Sequence, residues 1–126
     1  MKTVWIAITL LLIVLVGAFS LFFYTTALYS QLQDSLHRIH HAAEKGDWTA
    51  AQRESEQLKE IWTRTDASWT PIMDHRQVDH LDESLARVLK LAELQNREEL
   101  LVELVVAMRQ AKRIIDTEVP SLRNIF

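Results

Sequence analysis

The chain has 126 residues, a formal net charge of −3 and no cysteine. Its length allows one domain, and the absence of cysteine excludes a disulfide, a thiolate nucleophile and a cysteine-ligated zinc site. Basic and acidic residues are interspersed along the polar part with no Lys/Arg run, which argues against nucleic acid as a partner because that surface requires a concentrated positive patch.

The first predicted element is a membrane-spanning helix over residues 4–23, which read VWIAITLLLIVLVGAFSLFF. At about 1.5 Å per residue, this segment spans roughly 30 Å, the thickness of the hydrocarbon core of a bilayer. Aromatic residues, Trp5 at one end and Phe22 to Tyr24 at the other, match the two interfacial belts. We therefore assign residues 1–27 to an anchor that contacts the lipid bilayer through residues 4–23.

The charges flanking this segment predict its orientation. Lys2 precedes it, and the ten residues after it carry no Lys or Arg. The positive-inside rule then places the N-terminus in the cytoplasm and the remaining domain outside the cell membrane. A cleaved signal peptide is the alternative, with small residues around positions 18–20 and 25–27 as cleavage sites. We favour an uncleaved anchor because the apolar core of a signal peptide is usually shorter, about 7–15 residues.

The same helix is expected to continue beyond the membrane to about Glu44. An apolar stripe follows the anchor with helical steps of four, four, three and four: Leu28, Leu32, Leu36, Ile39 and Ala43. Gly46 is suited to the left-handed conformation that ends a helix, and Asp47 to capping the next one.

The second helix is predicted over residues 48–64, with Trp48, Ala51, Ser55, Leu58 and Trp62 as its inner stripe. Residues 65–69 are predicted to form a loose connection. Thr70 followed by Pro71 is typical of a helix start, a hydroxyl cap and then proline at the first helical position. The third helix is therefore predicted from Pro71 to about Leu94.

The fourth helix is predicted over residues 97–118, with Pro120 ending it. Its stripe is Leu101, Leu104, Met108, Ala111 and Ile115, widened by Leu100, Val105 and Ile114. The apolar ending with Leu122, Ile125 and Phe126 is expected to pack down. The predicted fold class is all-α: a transmembrane helix that continues into residues 28–126, which form an antiparallel helical bundle or two stacked helical hairpins.

Four polar residues are candidates for a metal or ligand site. His37 and His41 are four apart on the first helix and share a face, as do His75 and Asp79 on the third. If the two helices met, imidazole and carboxylate groups would converge on zinc or another divalent ion. The alternative is that these are surface histidines, and no H-E-x-x-H motif supports a site. No cofactor is assigned.

Trp69 and Asp74 are candidates for contact with a partner. Trp69 falls in the predicted connection, where it either caps the end of the domain or anchors a partner, as exposed tryptophan often does. Of these two roles for Trp69, packing within the domain is favoured. Asp74 and His75 lie four and three residues before Val78, so they extend the apolar face of the third helix. A structural hydrogen bond or a ligand contact would explain them there, because unpaired burial is costly.

Several of these features together resemble domain-of-unknown-function family 4363. They are the membrane segment, the Gly46-Asp47-Trp48 turn, Trp62, Trp69 with Asp74-His75, and the ending Asn124-Ile125-Phe126. The resemblance covers nearly the whole chain. It implies a small, single-anchor helical protein of the kind found mostly in Gram-positive bacteria, with an extracytoplasmic domain. It implies no activity and assigns no functional residue.

These features predict a membrane-tethered interaction module that binds another membrane or envelope protein. The competing hypothesis is an extracytoplasmic sensor that uses the His/Asp set. An enzyme is not expected, because no nucleophile, base and orienting group stand together in a recognisable motif. An interaction module should expose an apolar patch, whereas a sensor should have a concave pocket with convergent polar groups.

Overall fold

A computed structural model describes residues 1–118 of the chain, and all regular structure in that range is helical. The elements are α1 (Lys2–Glu44), α2 (Trp48–Trp69), α3 (His75–Glu93) and α4 (Arg97–Glu118). The all-α fold is confirmed, as are the continuous first helix and the starts of α2 and α4. The predicted packing of the apolar ending lies outside the described residues.

Helix α1 consists of two parts with different surroundings. Residues 1–24 are all exposed, and burial begins at Thr25, with Leu28 next. Within the described residues, α1 is the one helix long and apolar enough to cross a membrane, and its most apolar stretch has nothing packed over it. The second part, Thr25 to Glu44, belongs to the helical domain.

The domain is a closed antiparallel four-helix bundle. Each helix packs against the next, and α1 also packs against α4, which closes the ring. Two hydrogen bonds fix the α1–α4 pairing: Gln33 Nε2 donates to the Met108 carbonyl at 2.8 Å, and the Arg97 guanidinium donates to the Glu44 carbonyl at 2.7 Å. Of the two predicted arrangements, the bundle is the one found, and α1 and α3 lie diagonally opposite each other.

The core is built from apolar side chains of all four helices, and the inner stripe of α1 contributes Leu32, Leu36 and Ile39 with no exposed surface. Burying one such side chain contributes roughly 1.5–3 kcal/mol. The other core residues include Leu58, Ile61, Trp69, Val78, Leu81, Leu85, Val88, Leu100, Leu104 and Ile114.

The turns at the end of the bundle far from the exposed apolar segment share one geometry. After α1, the amide of Asp47 donates to the Ala42 carbonyl at 2.9 Å, while Gly46 takes φ +69°. After α3, the amide of Asn96 donates to the Leu91 carbonyl at 3.1 Å, and Gln95 takes φ 55°. These are Schellman turns, which satisfy the carbonyls left free at a helix end. Only the first has glycine at the left-handed position.

The prediction for the α2–α3 connection was wrong. Helix α2 continues to Trp69, and α3 begins at His75 with Asp74 as its cap. The inner face of α2 extends through Thr65 and Trp69, which are both fully buried, so tertiary packing keeps this segment helical. Pro71 lies in the turn after α2, a common place for a residue that cannot continue a helix.

Candidate functional site

The predicted ligands on α1 face solvent. His37 and His41 are exposed and line a shallow depression between α1 and α2. An ion pair crosses its wall, with Arg38 Nε 2.8 Å from Glu54 Oε2. The depression also contains Lys45 and Asp47, so two basic and two acidic side chains surround the two imidazoles.

The predicted ligands on α3 lie elsewhere. His75 and Asp79 are exposed in the first two turns of α3. Because α3 is diagonally opposite α1, the His75–Asp79 pair and the His37–His41 pair are on different sides of the bundle. Within residues 1–118, no group of three or more His, Asp or Glu side chains is arranged to hold a metal ion. The four residues therefore form two separate pairs.

Trp69 is a core residue. It has no exposed surface, and its ring meets that of Trp62 edge to face, with centroids 6.4 Å apart and planes at 88°. Trp62 is itself fixed by a 2.7 Å hydrogen bond from its Nε1 to Asp82 Oδ1 on α3. Trp69 therefore has no surface to offer a partner, and the partner-contact interpretation of this residue is corrected to packing.

Asp74 caps α3. Its carboxylate accepts a hydrogen bond from the Arg76 amide at 2.8 Å, which is the usual role of aspartate just before a helix. Asp74 and His75 are both exposed. The expectation that they extend the inner face of α3 is wrong, because the helix begins only at His75 and the inward direction is first taken by Val78.

Comparison with known families covers most of the chain. Residues 19–125 match the family described as a domain of unknown function, DUF4363. The chain belongs to this family. The resemblance inferred from the Gly46-Asp47-Trp48 turn and the tryptophan positions is thereby confirmed. No curated protein and no solved structure matches this DUF4363 chain.

An open groove with a mostly apolar lining lies on the outer side of α3 and α4 in the DUF4363 domain. Its volume is about 440 Å³. Val102, which is 64% exposed, and the half-buried Leu91 are the apolar residues that line it. We call the following set the α3–α4 groove: Arg87, Lys90 and Leu91 of α3, with Glu98, Glu99, Val102 and Glu103 of α4.

Charged side chains form the rim of the α3–α4 groove, and hydrogen bonds from two α3 side chains to Glu103 of α4 connect the two helices there. Glu103 Oε1 accepts from Ser84 Oγ at 2.8 Å and from Arg87 Nε at 2.9 Å. Ser84 is fully buried and Glu103 is mostly buried, so this network fixes the spacing of α3 and α4. The rim is basic on α3 and acidic on α4. Such a groove can accept an apolar side chain with charged neighbours.

The α3–α4 groove was not predicted from the sequence. Val102 lies outside the predicted inner stripe of the fourth helix, and an apolar residue off the stripe was the available signal. Val105 was assigned to the widened stripe, but it is 40% exposed. Leu100 and Leu104 are buried as predicted, together with Ala107, which was not predicted, so the inner face of α4 points away from both valines.

Proposed function

We propose that this DUF4363 protein is a membrane-anchored helical interaction module. Residues 4–23 span the cell membrane with the N-terminus in the cytoplasm. The bundle lies outside and binds another membrane or envelope protein through the α3–α4 groove, without chemistry of its own.

The anchor is supported by the contrast between the two parts of α1. Residues 1–24 are exposed although most are apolar, an arrangement suited to lipid and unfavourable in water. Between Thr3 and Gln33 the chain has no Asp, Glu, Lys or Arg, and Lys2 is the charge that precedes the span. The proposed orientation follows from this asymmetry.

One observation supports the interaction role: apolar side chains that line the α3–α4 groove are exposed. Val102 leaves about two thirds of its surface in solvent, and the partly exposed Val105 follows it along the same helix. Covering apolar surface contributes roughly 25 cal/mol per Å². Arg87 is already paired with Glu103, so the exposed Lys90 of α3 and the exposed Glu98 and Glu99 of α4 are the charges that would select a partner by complementarity.

Site-specific crosslinking tests both parts of this proposal. Because the chain has no cysteine, single cysteines at Val102 and, as a matched control, at the exposed Glu60 of α2 give unique labels. A membrane-impermeant, thiol-reactive photo-crosslinker is added to intact cells that make the full-length protein. We expect labelling at both positions, and a discrete adduct with one other envelope protein from Val102→Cys alone.

Each alternative outcome points to a different error. Labelling that requires cell lysis would overturn the extracytoplasmic placement. Labelled Val102→Cys without an adduct, or with the same adducts as Glu60→Cys, would overturn the groove as the binding surface. An adduct only with a second copy of this 14.7 kDa chain would replace the envelope partner by self-association.

A further inference from the structure

The bundle begins almost at the point where the apolar segment ends. Thr25 is 2% exposed and lies only two residues after Phe23, which is 64% exposed. At about 1.5 Å rise per residue, these two positions differ by roughly 3 Å along the axis of α1. With residues 4–23 in the bilayer, one end of the bundle therefore lies against the membrane surface rather than on a stalk.

The α2–α3 connection lies at this end. Helix α2 has 22 residues and is roughly 33 Å long, whereas the stretch of α1 beside it, Thr25 to Glu44, is about 20 residues or ~30 Å. Antiparallel to α1, α2 returns at least to the level of Thr25. Trp69 and Met73 are still in the core there, so the connection Thr70 to Asp74 closes the membrane end of the bundle.

The connection exposes an aliphatic side chain and, after the buried Met73, a run of polar ones. Ile72 is 48% exposed and its neighbour Pro71 is exposed as well. Asp74, His75 and Arg76 come next, and all three face solvent. Segments that lie in a membrane interface direct their apolar side chains toward the acyl chains and keep their charged groups at the level of the headgroups.

We propose that the α2–α3 connection is a second membrane contact, in which Ile72 inserts into the interfacial layer of the lipid. This inference rests on the proposed anchoring by residues 4–23. A single helix leaves a domain free to tilt about its point of exit, whereas two contacts hold it upright. The contact thereby fixes the height of the α3–α4 groove above the membrane and the direction in which it opens.

Depth-dependent fluorescence quenching tests the contact in the full-length protein. Single cysteines are placed at Ile72, at Phe19 inside the span, and at Leu94, which is 62% exposed at the opposite end of the bundle. Each variant carries an environment-sensitive thiol dye in vesicles of equal parts phosphatidylcholine and phosphatidylglycerol. With nitroxide-labelled lipids, we expect strong quenching at positions 19 and 72, severalfold stronger than at position 94.

The controls separate failure of the contact from failure of the anchor. Quenching at position 19 with position 72 behaving like position 94 would overturn the second contact and leave the anchor intact. Loss of quenching at position 19 would overturn the anchor itself. A further pair tests the native side chain: a dye at His75→Cys should lose quenching severalfold in an Ile72→Glu background and keep it with Ile72→Leu. Equal quenching in both backgrounds would rule out insertion of Ile72.

Discussion

The two ends of the bundle are closed in different ways. At the end far from the anchor, both turns are short and are held by backbone hydrogen bonds, with Gly46 and Gln95 at their left-handed positions. At the membrane end, the amides of Ile72 and Met73 donate to the Trp69 carbonyl at 3.0 and 2.8 Å, and the longer connection Thr70 to Asp74 is also held by burial of Trp69 and Met73. Both ends therefore use backbone hydrogen bonds, but the far end adds residues in the left-handed conformation, whereas the membrane end adds buried contacts between helices.

Truncating Trp69 should have the largest effect. Replacing a fully buried aromatic side chain by alanine typically costs about 3–5 kcal/mol, and Trp69→Ala also removes the edge-to-face contact with Trp62. Trp48 at the far end is only half-buried, so Trp48→Ala is the matched control with a smaller loss. Urea unfolding of the reconstituted full-length protein, followed by circular dichroism, measures both. Equal losses would contradict the assignment of the membrane end to tertiary packing.

Replacing Gly46 should have an intermediate effect. A non-glycine residue in the left-handed region costs about 1–2 kcal/mol, and Gly46 has φ +69°. A Cβ there would meet nothing within 4 Å, so the cost of Gly46→Ala would be conformational and not steric. The same unfolding measurement applies, with Lys45→Ala as the control because Lys45 has ordinary helical angles. No difference between the two variants would show that the turn does not depend on glycine.

The converse change, Gln95→Gly, should have the smallest effect and the opposite sign. Gln95 holds φ 55° with a side chain, and relieving that conformation should raise the free energy of unfolding by about 0.5–1 kcal/mol. Gln95→Ala, which keeps the Cβ, should change little. The unfolding midpoints of the three proteins measure this, and a loss of stability in the glycine variant would contradict the comparison of the two turns.

Sequence reasoning succeeded where the signals were local. The stripe from Leu28 to Ala43 and the Gly46-Asp47 turn are properties of neighbouring residues, and they gave α1 and the start of α2 correctly. The end of α2 was wrong because Thr65 and Trp69 stay helical by being buried against other helices. Because Pro71 was taken as the start of the third helix, Asp74 and His75 were wrongly placed on the inner face of that helix.

The candidate site shows the same contrast between features set by neighbouring residues and features set by tertiary packing. Helical spacing correctly paired His37 with His41 and His75 with Asp79 on single helices. Whether the two pairs meet depends on which helices are neighbours in the ring, and that is set by packing of the whole bundle. The α3–α4 groove was missed for a related reason: the predicted stripe already left Val102 outside the inner face of α4, but only the packing of α4 against α3 places it with Leu91 in one groove.

The hydrogen bond from Arg97 to the Glu44 carbonyl has a consequence for biosynthesis. It joins the first residue of the last helix to the last residue of the first, 53 positions apart. The ribosome synthesises α1 before α4. The face of α1 that packs on α4 therefore stays exposed until α2, α3 and α4 have been synthesised. A chain interrupted before α4 would carry that open face, and quality-control proteases that recognise exposed apolar surface would have a clear substrate.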